Sequence, residues 1–141
     1  MIDAREYLSY FKIAEARIEL KLRQIQSLQN RLFSISAISS NEPVKQTRNV
    51  AVMADTVALI IDMQKEIDLQ TSVILEKKHE AYILLDKIKP ESAAILMDRF
   101  LEGKTVMSIS QSMQVTKRQT QRKLKDAIEE FQTVLKAPLF F

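Results

Sequence analysis

The chain of 141 residues has no cysteine or tryptophan, one glycine, one histidine and three prolines. Without cysteine, disulfides, thiolate zinc sites and cysteine nucleophiles are excluded. A single glycine leaves little material for hairpin turns or phosphate-cradling loops, so an all-α fold is favoured. Apolar runs fall far short of the roughly 20 residues that a membrane span needs, and the acidic N-terminal segment lacks a signal-peptide core. We expect a soluble, cytoplasmic protein with no membrane partner.

Catalytic and metal-binding patterns are equally sparse. Glu76 and His79 have the Glu-x-x-His spacing of di-iron helical bundles, but His79 is the only histidine and lysines lie between the two residues. The carboxylate pairs along the helices are accompanied by no histidine or glycine-rich loop. We therefore expect a protein that is not an enzyme and that has no cofactor or metal.

Two long segments free of glycine carry apolar residues at heptad spacing, which is typical of coiled-coil helices. They span about 3–36 and 50–88 and are separated by a predicted loop at 37–49 that contains Pro43. Two long helices joined by such a loop favour an antiparallel hairpin over 1–88. Its heptads either close within one chain or pair two chains. The predicted core positions are Ala4, Tyr7, Phe11, Ala14, Ile18, Ile25, Leu28, Leu32 and Ile35, then Val50, Met53, Val57, Ile60, Gln64, Ile67, Thr71, Ile74, Lys78, Ala81, Leu85 and Ile88.

Pro90 marks a boundary, and residues 89–141 form the second predicted domain. The pattern predicts a helix over about 91–102, with Gly103 in the left-handed conformation after it. A second helix over about 106–113 is capped by Thr105, and a turn follows at Gln114. The last helix runs from Thr116 to about residue 135, before Pro138. The apolar tail 139–141 either covers the protein's own core or docks on a second subunit.

The stretch 104–125 contains six lysines or arginines and no acidic residue. Thr116 and Gln119 have capping-box spacing, which sets the start of the last helix. Its apolar face points about 200° away from Arg118, Arg122 and Lys125. A basic outer face on the second helix of a close pair suits the major groove of double-stranded DNA. The candidate DNA-contacting residues are Thr105, Thr116, Lys117, Arg118, Gln119, Gln121, Arg122, Lys123 and Lys125.

These residues resemble the helix-turn-helix of region four of bacterial sigma factors. The resemblance is carried by Thr105-Val106, Ile109, Met113, Val115-Thr116, Lys117, Ala127-Ile128 and Phe131, with Leu96, Arg99, Phe100 and Gly103 upstream. Gln114 stands where glycine is common, and Thr120 and Lys123 stand where aliphatic residues are usual. These departures imply a recognition helix that is packed less firmly or slightly rotated.

The whole arrangement, with the phrase Met53-Ala54-Asp55-Thr56-Val57 in the second long helix, resembles small phage proteins of the ArpU and RinA type. The resemblance implies a DNA-binding activator of late or packaging genes in phages and integrated elements, acting in the bacterial host cell. The hairpin would then mediate dimerisation or contact RNA polymerase. Two alternatives are a DNA-packaging protein like a small terminase subunit and a coiled-coil adaptor with no DNA role.

Overall fold

The computed structural model describes residues 2–37 and 43–136, and this part of the chain is all-α, with five α-helices and no strand. A π-helical turn, Met97–Leu101, continues the third helix. No helix in the described ranges is long and apolar enough to cross a membrane. The helices are α1 (Ala4–Ala37), α2 (Pro43–Leu85), α3 (Pro90–Leu96), α4 (Val106–Met113) and α5 (Lys117–Lys136).

The predicted loop at 37–49 is wrong in its second half, because α2 begins at Pro43. Proline is well suited to the first turn of a helix, where its missing N–H has no helical partner to lose. The residues after Pro43 include good helix formers, so nothing after it interrupts the helix. Residues 38–42, and the predicted tail at 139–141, lie outside the described residues.

The chain divides into two compact units. Of the described residues, 2–14 and 74–136 belong to one, called here the terminal unit, and 15–73 make up the other, called the middle unit. This division differs from the boundary near residue 88 that the sequence predicts. The boundary near residue 88 was predicted for domains that fold independently, which a division into compact units does not test, so it stays a prediction.

The core of the terminal unit is built around α5. Phe131 is completely buried, and its ring centroid lies 5.7 Å from that of Tyr7 on α1. Tyr7 also packs edge-on against Phe11, at 6.3 Å. Burial, assisted by the negative charge of Glu80, raises the pKa of Tyr7 to about 12. The other fully or nearly fully buried apolar residues of this unit include Ala4, Leu8, Ala81, Leu85, Leu96, Leu101, Ile109 and Ala127.

Two side chains of α5 satisfy the N-terminal ends of other helices. Gln132 Oε1 accepts the N–H of Ala4, the first residue of α1, at 2.6 Å, and Gln132 Nε2 donates to the carbonyl of Ile2. Glu130 accepts the N–H of Lys89, which precedes α3, at 2.9 Å. The first N–H groups of a helix have no partner within it, so these bonds supply what the helix lacks.

In the middle unit, α1 uses the predicted positions and α2 uses a different set. Ile18, Ile25, Leu28, Leu32 and Ile35 of α1 are all buried or half-buried, as predicted. On α2 the predicted core positions Val50, Val57, Gln64 and Thr71 are exposed. Their places are taken by residues one position earlier in the chain. The buried or half-buried residues of α2 in this unit, among those described, are Asn49, Met53, Thr56, Ile60, Met63, Ile67 and Gln70.

The two registers share Met53, Ile60 and Ile67 and differ only in the residues between them, which explains the error. Both sets repeat at alternating steps of three and four residues, so periodicity alone does not choose between them. Thr56 can be buried because its hydroxyl donates to the carbonyl of Val52 at 2.7 Å. That bond removes the penalty for burying an unpaired hydroxyl.

Replacing Gln132 with alanine is expected to lower the free energy of unfolding by about 1 kcal/mol, because the N-terminus of α1 loses its cap. Chemical denaturation followed by circular dichroism measures the change. Thr133→Ala is the matched control: Thr133 is the next residue, and its hydroxyl donates only within α5, to Glu129. Equal losses for the two variants would contradict the capping role of Gln132.

Candidate nucleic-acid interface

The start of α5 is fixed by a capping box. The N–H of Gln119 donates to Thr116 Oγ1 at 3.1 Å, and Gln119 Oε1 accepts the N–H of Thr116 at 3.0 Å. This confirms the reciprocal pairing that the spacing predicts. Because the two side chains hold each other's backbone N–H groups, the residue at which α5 begins is fixed, and so are the directions of the side chains in its first turn.

The segment before α5 also follows the predicted local chemistry. Gly103 has a φ of 71°, and Thr105 Oγ1 accepts the N–H of Ser108 as the cap of α4. After α4, Gln114 adopts φ 56° and ψ 42°. This left-handed conformation allows the N–H of Val115 to bond the carbonyl of Ser110 at 3.1 Å. A non-glycine residue pays for such backbone angles, so the glutamine makes this turn more costly than glycine would.

The inner face of α5 packs as predicted. Thr120, Leu124, Ala127 and Phe131 are buried, and Val134 is half-buried. Thr120 stands where the sigma-like pattern has an aliphatic residue, yet it is completely buried. Its hydroxyl donates to the carbonyl of Thr116 at 3.1 Å, which satisfies it within the helix. Threonine therefore packs here without an unpaired polar atom.

The outer face of α5 carries the exposed positive charge. Arg118 and Arg122 lie one helical turn apart, with Lys125 following three residues later. In residues 2–37 and 43–136, these side chains and Lys117 form no ion pair with a carboxylate. Four cations therefore lie close together on one helix without a direct ion pair, and the exposed acids Asp126 and Glu129 follow one turn after Arg122 and Lys125. The exposed candidate residues on this helix are Lys117, Arg118, Gln119, Gln121, Arg122 and Lys125.

Two other lysines of the basic stretch are already paired. Lys123 Nζ lies 2.8 Å from Glu91 Oε1, which connects α5 to α3. Lys104 Nζ lies 3.2 Å from Glu102 Oε2 and 3.4 Å from Asp98 Oδ1. The structure thus separates Lys123, which points towards α3, from the four unpaired cations. The sequence alone counts all six charges as equal.

Glu91 and Glu130 are residues that the sequence analysis did not single out, and they position the basic helix. Glu130 accepts the N–H of Lys89 at 2.9 Å and the hydroxyl of Ser92 at 2.8 Å. Because the donors lie about forty residues away in the chain, no local spacing signals these bonds. They fix α5 against the beginning of α3, which determines which face of α5 remains outward.

The same contacts shift the ionisation of the two glutamates. The Lys89 N–H and the Ser92 hydroxyl hold the pKa of Glu130 below its ordinary value of 4.5. The hydrogen bond from Lys123, with its positive charge, lowers the pKa of Glu91 in the same way. Hydrogen bonds to Glu102 and Asp98 raise the pKa of Lys104 above 10.5. All three groups therefore keep their charge at neutral pH.

The described ranges contain no group of three or more histidine, aspartate or glutamate side chains that could hold a metal ion. His79 is exposed on α2. The exposed residues in the first half of α5 offer positive charge and hydrogen-bond donors.

The left-handed backbone conformation of Gln114 can be tested by substitution. Gln114→Gly is expected to raise the free energy of unfolding by about 0.5–1 kcal/mol, because glycine adopts the left-handed angles without steric cost. Gln111→Gly, in the helical part of α4, is the control and is expected to lower it by about 1 kcal/mol. Thermal denaturation distinguishes the two, and destabilisation by Gln114→Gly would contradict the assigned backbone conformation.

The pH dependence of stability tests the bonds of Glu130. A carboxyl whose pKa is depressed by folding stabilises the protein above its ordinary pKa of 4.5, and this contribution is lost as the pH falls through the lower, folded-state value. Glu130→Gln is therefore expected to be less stable than wild type at neutral pH, with the difference shrinking below about pH 4.5. Denaturation midpoints at several pH values measure it. An identical change in Glu129→Gln, at the adjacent exposed position, would argue against a specific role for Glu130.

Comparison with models of known protein families, with curated proteins and with solved structures finds no match.

Proposed function

We propose that the protein is a sequence-specific, double-stranded-DNA-binding regulator of transcription. In this proposal α4 and α5 form a helix-turn-helix, and α5 is the recognition helix that enters the major groove. The observation that carries it is the group of four exposed cations on α5, at Lys117, Arg118, Arg122 and Lys125, that no carboxylate of the described chain neutralises.

The like charges at the start of α5 are unfavourable for the helix by roughly 0.2–0.5 kcal/mol per pair. Like charges one turn apart on a helix destabilise it, whereas α1 places Glu19 and Arg23 at that spacing as an ion pair. Phosphates along a duplex are the matching partner, and binding them releases condensed counterions. Residues 117–125 of α5 contain no acidic side chain, so this part of the helix supports a polyanionic ligand.

The types of side chain on this face suit base recognition as well as phosphate binding. Arginine at 118 and 122 can donate two hydrogen bonds to guanine, and Gln121 between them can pair with adenine. Lysine binds phosphate more simply as a point charge. The N–H groups of the first turn of α5 favour a phosphate nearby. This mixture supports a site that discriminates among sequences over one that only binds charge.

The remaining helices give the proposal its second part. We propose that α1 and α2 form an antiparallel hairpin that mediates dimerisation or contacts RNA polymerase. In the middle unit, Lys21 pairs with Glu66, and farther along α1, Leu32 lines a groove with Met53. Because residue numbers rise on α1 as they fall on α2, these contacts support an antiparallel arrangement. Regulation of phage or mobile-element late genes rests on the ArpU and RinA resemblance.

The test is binding to a duplex that contains the protein's own site, which a genome-wide footprint of bound DNA would identify. Arg118→Ala and Arg122→Ala are each expected to weaken binding to that duplex by about 1–3 kcal/mol, roughly 5–150-fold, with only small losses on random DNA. Lys125→Ala is expected to weaken both similarly and to reduce the salt dependence of log Kd by about one unit. Fluorescence anisotropy over a series of salt concentrations measures these changes.

Arg31→Ala is the matched control, since it removes one exposed positive charge from α1, in the middle unit. It is expected to leave the affinity for the specific duplex nearly unchanged. If Arg118→Ala and Arg122→Ala bind the footprinted site as tightly as wild type, α5 is not the recognition helix. Salt-independent binding, or none to any duplex, would support an adaptor without a DNA role.

A further inference from the structure

A groove in the terminal unit has the size of a small-molecule site. It is formed by the first turns of α1 and the last turns of α2, and its volume is about 300 Å³. Ligand pockets typically measure about 300–1,000 Å³, so this groove suits a compact ligand with a single ring. We call it the aromatic groove, and it is lined by Ile2, Glu6, Tyr7, Tyr10, Phe11, Lys77 and Glu80.

The aromatic walls of this groove are held in place by the core of the terminal unit. The Tyr7 ring packs against Phe131 of α5, with 5.7 Å between the ring centroids. The Tyr10 ring meets Phe11 edge-on at 5.4 Å, and Phe11 is buried. Because these contacts already fix both tyrosines, a ligand does not have to order them when it binds. The groove is therefore a pre-formed surface of apolar rings.

The aromatic groove carries more negative charge than positive charge. Two exposed glutamates, Glu6 and Glu80, and one lysine, Lys77, line it. Lys77 Nζ lies 4.7 Å from the centroid of the Tyr10 ring. Among the residues that the structure describes, neither glutamate forms an ion pair. The groove thus has one negative charge in excess beside apolar rings, which favours a cationic ligand.

Tyr7 adds a polar atom that lacks a partner. Its hydroxyl oxygen is buried and has no hydrogen-bond partner in the described part of the chain. Leaving a buried hydroxyl unpaired is unfavourable, so such a group calls for an explanation. Burial, and then the charge of Glu80, raise the pKa of this hydroxyl to about 12. A donor that approaches the carboxylate of Glu80 therefore also approaches a hydroxyl that has no bond.

We propose that the aromatic groove binds a small organic cation in which an amidinium or guanidinium group is joined to one aromatic ring. The ring packs against Ile2, Tyr7 and Tyr10, and the cation meets the carboxylates of Glu6 and Glu80. Planar cations of this kind suit carboxylates because they donate two parallel hydrogen bonds. The site does not depend on the proposed DNA binding, because none of its lining residues is a candidate DNA contact.

Benzamidine is the probe, and benzamide and benzoate are its neutral and anionic counterparts with the same ring. Each compound is titrated to about 20 mM into the isotope-labelled full chain, without DNA and at constant ionic strength, and amide shifts are followed by NMR. Benzamidine is expected to shift the amides of residues 6–11 and 77–80, with a Kd on the order of 1 mM. The other two compounds are expected to bind at least about tenfold more weakly.

Glu80→Gln removes the charge and keeps the shape of the side chain, so it is expected to raise the Kd of benzamidine about 5–10-fold. Glu76→Gln is the matched control, since Glu76 is exposed one turn earlier on α2 and does not line the groove. It is expected to bind benzamidine like wild type.

The comparison of the three compounds on wild type remains decisive if a variant fails to fold. The proposal is overturned if benzamidine causes no shifts, if benzamide or benzoate binds as tightly, or if the shifts lie away from the groove. It is also overturned if Glu76→Gln and Glu80→Gln weaken benzamidine binding equally.

Discussion

Two hydrogen-bonded caps, both supplied by α5, are the constraint on which the terminal unit depends. Gln132 satisfies the first N–H of α1, and Glu130 satisfies the N–H of Lys89 that precedes α3. The two side chains lie two residues apart and so leave α5 on nearly opposite sides, with the buried ring of Phe131 between them in sequence. One helix therefore holds the beginnings of two others. The N–H groups at an exposed helix N-terminus can also bond to water, so these two bonds matter mainly for geometry. Both of them form at only one rotation of α5.

The packing of α5 explains how the helix can carry several cations. These cations repel one another, but unwinding the helix to separate them would break the caps and expose Leu124 and Phe131. The Lys123–Glu91 ion pair also holds α5 in place, because it joins a lysine of α5 to a carboxylate on α3. The inner face and the second half of α5 fix the helix, and the outer face of its first half carries the exposed cations that we propose bind DNA.

Features that depend on residues three or four positions apart, such as helix caps and helix ends, were predicted correctly from the sequence. The capping box at Thr116 and Gln119, the cap at Thr105, the left-handed Gly103 and the bounds of α4 are all confirmed. The all-α class is confirmed for the described residues, whereas DNA binding stays a prediction. Contacts between distant parts of the chain were not predictable. Nothing local links Gln132 to Ala4 or Glu130 to Lys89, because each bond depends on how α5 meets a helix far away in the sequence.

The misassigned core of α2 has a physical cause. Val50 and Val57 were predicted to face inward because they have the composition and spacing of a coiled-coil seam. They lie about 100° around α2 from its buried residues, and a single partner helix cannot cover two stripes that far apart. Thr56 and Met63 face inward although valine is the more apolar choice, so burying the stripe against α1 was not what determined the rotation of α2.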